Sequence, residues 1–246
     1  MTQGTSNSRM VDEIFHKVIA DLGIKHRPSR HSFFSRLAVY PTAELHSPPI
    51  LNELYKRYQS AMHASRVMGY FLPHLDTIAL RIRKLRILAD DDGIPGGDTH
   101  HFQLRRTWTS MLGCAPLMKD DEFGELDDLK KCLDPMTTAF VTLVQEIYPQ
   151  SLGPWVIVEG LAHDWIGALL TALIPHFEAI DSTDYFMENF SNCLEEKHAQ
   201  EALDVTSAVL RHRPELLEET IEGARRMGEG IDMLWSTLEC VLIEKQ

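Results

Sequence analysis

Apolar residues recur along this chain every three to four positions, in segments separated by clusters of Pro and Gly. That is the helical period, and the sustained alternation that marks a strand is nowhere found. Residues 10–22 read as a short amphipathic helix closed by Gly23. Pro28, Pro41, Pro48 and Pro49 break up the stretch that follows. Pro48-Pro49 suits the first turn of a helix that continues to about Tyr70. Its apolar positions Leu51, Leu54, Tyr55, Tyr58, Ala61 and Met62 share one face. A helix over about 72–89 is expected to bury Leu75, Ile78, Ala79, Ile82, Leu85 and Leu88, and to turn Arg81, Arg83, Lys84 and Arg86 to water. Further helices are predicted over 99–112, 135–148, 154–173, 184–211 and 214–243. The segment 154–173 is the most apolar of all and is therefore expected at the centre. The prediction is one all-α domain, a bundle of about seven helices, with residues 1–9 as a disordered tail.

Composition narrows the function. With 24 Lys plus Arg against 36 Asp plus Glu, the net charge is -12. An acidic surface repels phosphate backbones and anionic lipid, so neither nucleic acid nor membrane is expected as a partner. The polar first ten residues lack the apolar stretch of a signal peptide. No uncharged apolar run approaches the roughly 20 residues of a membrane span. Cys114, Cys132, Cys193 and Cys240 form no CxxC pair, and they read as reduced, mostly buried thiols of a cytoplasmic protein. The 12 histidines are a surplus that fits either metal binding or an ordinary surface.

Three clusters could carry chemistry. Glu195 and His198, in Glu195-Glu196-Lys197-His198, stand at i and i+3 and share a helix face. A helical bundle presents a carboxylate and an imidazole to a core metal in this way, although the same pattern is common on solvated helices. Glu159 lies inside the most apolar segment, where an unpaired carboxylate is costly. It needs a metal, a cation or a proton, and His163, at i+4, is either a co-ligand or a hydrogen-bond partner. Asp90-Asp91-Asp92 opposes the dipole at a helix C-terminus and is followed by His100-His101. A cation would explain the acids, and so would a solvated loop. Together, carboxylates and imidazoles from separate helices suit iron or manganese better than zinc or calcium.

These residues resemble the heme-oxygenase-like diiron oxidases and oxygenases, a family that includes an undecene-forming fatty-acid decarboxylase and a chlamydial death-domain-associating protein. The family pattern has an acidic residue and then a His after a Gly-containing loop, a Glu often followed by Gly in a central helix, and His-x3-Asp/Glu-x2-His on a later one. Asp90-Asp91-Asp92-Gly93 with His100-His101, Val158-Glu159-Gly160, and the run from Glu195 through His198 to Asp204 stand at those places. The likeness spans roughly residues 48–246 and is specific in the last hundred. One departure is plain: the first His of the triplet falls on Ser191. On an unbroken helix Ser191, Glu195 and His198 would face one pocket.

The resemblance implies a heme-oxygenase-like fold and an O2-dependent non-heme diiron enzyme. Glu159 and His198 would be the catalytic residues, and Asp91, His101, Glu159, His163, Glu195 and His198 the ligands of two irons, one of them weakly held. The implied substrate is a small carboxylate or amine, amino-acid-like or a fatty acid, whose carboxylate an Arg such as Arg81 or Arg105 could pair. A homodimer is compatible with this reading. A metal-free small-molecule binder of the same fold and a non-catalytic helical interaction protein are the alternatives.

Overall fold

In the computed structural model, residues 3–93, 98–114 and 125–244 are described, those before Arg9 by their backbone only. Parts of the Gly-rich loop and of the acidic linker therefore lie outside the described residues. The described chain is helical and contains no strand. Eight helices have at least 13 residues: α1 (Gln3–Lys25), α4 (Pro48–Gly69), α5 (Ile78–Asp91), α6 (His100–Leu112), α8 (Pro135–Ile147), α9 (Gly153–Leu173), α11 (Leu194–His212) and α12 (Leu217–Glu244). Short helices α2 (Ser32–Ala38), α3 (Thr42–Leu45), α7 (Leu126–Lys130) and α10 (Asp184–Phe186) complete the order.

Local chemistry sets most of the boundaries. Thr77, Thr99 and Asp134 each accept backbone N–H bonds at the start of α5, α6 and α8, which satisfies donors that a helix start leaves free. Gly113 ends α6 in the left-handed conformation. The first helix starts at Gln3, so residues 3–9 are helical rather than a tail. Helix α5 begins only at Ile78, after Pro73 and a Thr77 cap.

The core forms around α9, as its composition predicts. Trp155, Val156, Ile157, Leu161, Ala162, Trp165, Ile166 and Leu169 are all buried on it. It packs against α11 and α12, and the absence of a side chain at Gly153 lets α12 come close, because a Cβ there would overlap the Thr220 carbonyl. Among the described residues α9 alone has the length and hydropathy of a membrane span, and most of it is inside the bundle.

Two expectations are overturned. Helix α5 is rotated relative to its apolar stripe: Ile78, Ile82 and Leu85 are 75%, 44% and 38% exposed, whereas Lys84 is 1% exposed. The cysteines are not buried either. Cys114 and Cys132 are exposed, and Cys193 and Cys240 are half-buried.

Candidate metal centre

Four helices bring acidic and imidazole side chains to one cavity. Helix α9 contributes Glu159 from its middle, and α11 contributes Glu195 and His198, one turn apart on its inward face. Asp91 is the last residue of α5 and His100 the first of α6. Glu159, Glu195 and His198 are 7%, 5% and 3% exposed. One donor atom from each lies within 4.8 Å of the others.

His198 sits at the focus. Its Nδ1 stands 3.6 Å from Asp91, 3.8 Å from Glu195 and 3.9 Å from Glu159, and its Nε2 stands 3.6 Å from Asp90. None of these is a hydrogen-bond length, and neither ring nitrogen has a hydrogen-bond partner among the described residues. His100 Nδ1 lies 3.4 Å from Asp91 and 3.9 Å from Glu195.

The electrostatics are those of a crowded acidic site. Burial raises the Asp91 carboxyl well above its usual range, and Glu159 and Glu195 raise it further. Burial and Glu159 do the same to Glu195. Burial pushes Glu159 up to about 7, against the opposing effects of the Trp155 hydrogen bond and Lys84. Burial takes His100 down to about 3, helped by His198 and Arg66, and burial also lowers His198. The carboxylates resist ionising together, while the imidazoles remain neutral with lone pairs available. A cation among them would relieve both conditions. Oxygen and nitrogen donors in this mixture fit a first-row transition ion.

The structure brings together Asp91, Glu159, Glu195 and His198, four of the six ligands that the resemblance implied. Asp91 is the acid of the triplet that reaches the cavity, because Asp92 is taken up by Arg66, at 3.0 Å, and by the Tyr70 hydroxyl. His101 lines the cavity, but its Nδ1 meets the Gln59 amide, and its neighbour His100 faces the carboxylates. His163 stands apart: its ring stacks on Phe190 at 4.6 Å, and its Nε2 lies 3.6 Å from Glu196 on the outer side of the helix.

Ser191 is exposed and does not face the cavity. The expected long helix is broken here. Residues Met187–Ser191 form a π turn, Cys193 takes a positive φ of 54°, and α11 starts afresh at Leu194. The register that would align Ser191 with Glu195 is lost at that break.

Other wall residues escaped the sequence reading. Trp155 Nε1–H donates to Glu159 Oε1 at 2.9 Å, and its i-4 spacing is the signal that could have revealed the pairing. Tyr185 lines the cavity and shares a 2.8 Å hydroxyl contact with Tyr58. Arg66 lines it as well. Arg81 binds the Leu75 carbonyl at 2.5 Å instead, and neither it nor Arg105 is part of the cavity wall.

No family model and no curated protein match this sequence. The fold does have solved counterparts. Two crystal structures of a CADD-like protein of unknown function from Nostoc punctiforme PCC 73102 superpose on nearly the whole chain. The structure at 2.00 Å gives a TM-score of 0.59 at 13% identity, covering 97% of each chain. The structure at 1.35 Å gives 0.61 at 12% identity, covering 100% of this chain and 98% of the other. The likeness is one of fold, and it runs over the entire bundle.

Proposed function

We propose that the cavity is the iron centre of an O2-dependent oxidoreductase acting on a small carboxylate- or amine-bearing substrate, amino-acid-like or a fatty acid. The observation that carries this reading is the convergence of Asp91, Glu159 and Glu195 on His198, whose ring nitrogens are both buried without hydrogen bonds. Two buried carboxylates, Glu159 and Glu195, beside the half-buried Asp91 are destabilising unless something positive enters. The fold shared with the CADD-like structures is compatible with this reading.

Asp91, His100, Glu159, Glu195 and His198 would hold the metal. Bound iron would supply the redox chemistry that side chains lack. The remaining roles belong to the chain itself. The apolar wall of Met62, Leu88, Leu104, Val158 and Ile166 keeps water from the reacting centre. The Tyr185 hydroxyl, tied to Tyr58, holds a proton at the cavity wall. The guanidinium of Arg66 is a permanent positive charge in the wall, already paired with Asp92 through one nitrogen, and its remaining N–H groups would orient an anionic substrate group.

One observation favours a metal-free small-molecule binder as the second reading: Lys84, whose ammonium burial lowers to about 7, favours ionised Glu159 wherever it is protonated. Two measurements decide between them. Metal analysis of anaerobically iron-loaded protein should find one to two irons per chain, and O2 uptake should rise on adding amino acids or fatty acids. Absence of bound iron in the loaded protein would leave the second reading standing.

A further inference from the structure

Lys84 is the most unexpected residue of the core. Its side chain is 1% exposed, and burying an ammonium costs several kcal/mol unless it is compensated. Its Nζ donates one hydrogen bond, at 2.5 Å, to the Phe71 carbonyl, and it stands over the Trp155 ring, 5.1 Å from the centroid. The edge of the same indole faces the candidate centre, where Nε1–H donates to Glu159 Oε1 at 2.9 Å. One aromatic ring thus has a cation on its face and a carboxylate at its edge. The other oxygen, Glu159 Oε2, is the one that lies 3.9 Å from His198 Nδ1.

Helical geometry makes the arrangement specific. Trp155 precedes Glu159 by one turn on α9, so the two side chains meet without distortion. Lys84, Leu88 and Asp91 follow one another at i, i+4 and i+7 on α5. The rotation that exposes Ile78, Ile82 and Leu85 therefore brings both a cation and a carboxylate inward. A cation over the ring face draws π density toward itself. The indole N–H then becomes a stronger donor to the carboxylate at its edge.

We propose that Lys84 and Trp155 form a positioning clamp for Glu159, in which Lys84 acts through the indole to hold Oε1 and leave Oε2 as the oxygen presented to a metal. The clamp deepens the metal-centre reading and rests on it. Groups that hold a ligand from outside the coordination sphere typically contribute about 10- to 100-fold in metal affinity.

The test is a double-mutant cycle on the full chain, with Co(II) as the probe and its visible d–d spectrum as the readout. Trp155→Phe keeps an aromatic ring but removes the N–H with the rest of the five-membered ring. Lys84→Met keeps the stem and removes the charge. Each single variant should weaken Co(II) binding by about 10-fold or more and alter the band shape, because Glu159 becomes free to rotate. The double variant should bind within about twofold of Trp155→Phe, since both residues act through one hydrogen bond. Lys84→Arg, which restores a cation over the ring, should recover part of the affinity. Losses that multiply in the double variant would overturn the clamp and show that Lys84 acts on the site by its field alone. Unchanged affinity and spectrum in Trp155→Phe would also overturn it while leaving the metal centre in place. A wild-type chain that binds no Co(II) would overturn the metal centre and the clamp with it. If Lys84→Met fails to fold, Lys84→Gln, which removes the charge but can still donate to the Phe71 carbonyl, takes its place in the cycle.

Discussion

At the residue scale the centre is defined by which polar atoms lack partners. Glu159 was legible from the sequence because a carboxylate in so apolar a segment needs an explanation. Glu195 and His198 share a face by their i, i+3 spacing, but that pattern is common on solvated helices, and only the other clusters and the family likeness singled them out. Lys84 was not, because its neighbours Arg81, Arg83 and Arg86 made it look like one more solvated charge. Glu159→Gln separates the roles of this residue. The amide oxygen can still accept from Trp155, but the charge is gone, so iron loading should fail while the helical circular dichroism stays intact. Burial raises the Glu159 pKa from 4.5 to about 7 in the folded chain. A raised folded pKa contributes stability that is fully present below the unfolded value and is lost as pH rises through the folded one. The metal-free variant should therefore melt higher than the metal-free wild type at pH 8, and the gap should close as pH falls from 7 toward 4.5. Thermal melts at the two pH values check this, and a variant that melts lower at pH 8 would contradict it. The serine gives an equally definite expectation. Ser191 is exposed beyond the π turn and the strained Cys193, so Ser191→His should leave metal affinity within about twofold of wild type, too small a change for a gained ligand. Parallel iron titrations of the two proteins measure it, and a tightened second site in Ser191→His would show that the turn refolds around the metal.

At the element scale, periodicity located the long helices and misjudged two of them. The helix over 184–211 was read as continuous because no Pro or Gly interrupts residues 184–202. What breaks it is tertiary. Phe190 packs so closely over Gly167 of α9 that a Cβ there would clash with the ring, and it also stacks on the His163 imidazole. Gly167→Ala should push Phe190 away, shift the start of α11 and cost about 1–3 kcal/mol, the usual range for overpacking. Denaturant melts would show the loss. Because Glu195 lies in the first turn of α11, metal affinity should fall in the same variant, and a destabilised protein with unchanged affinity would separate the turn from the site. Helix α5 misled for a different reason. Its apolar stripe and its charged stripe are both plausible inner faces until Lys84 is paired with Phe71 and Trp155. The rotation has a simple consequence: Ile82→Lys on the exposed stripe should change stability by less than about 0.5 kcal/mol. Ile87→Lys, at a position 3% exposed, should unfold or severely destabilise the chain. Equal effects at the two positions would place the stripe inside after all.

At the scale of the whole molecule, the fold class followed from the helical period and the central place of α9 from its apolar composition. The convergence of Asp91, Glu159 and Glu195 on His198 was implied by the family likeness and not by local spacing, because contacts between distant segments leave no trace there. That convergence couples a local ligand to global stability. In the metal-free chain Asp91, Glu159 and Glu195 are all pushed toward the protonated state, first of all by burial. A metal needs them ionised, so binding releases protons and its apparent affinity depends on pH. The imidazoles set no such limit near neutrality, since burial holds His100 down at about 3 and lowers His198 as well. The carboxylates therefore govern the window, together with Lys84, whose ammonium burial lowers to about 7. Below the folded-state value of about 7 for Glu159, each proton that must leave lowers apparent affinity by about tenfold per pH unit. Metal bound to the folded chain but not to the unfolded one raises the melting temperature by mass action. The rise in melting temperature on adding a fixed concentration of Mn(II) or Co(II) should thus be largest at pH 8 and shrink steeply toward pH 6. A metal-induced shift that is the same at both values would mean that the carboxylates are already ionised in the metal-free fold.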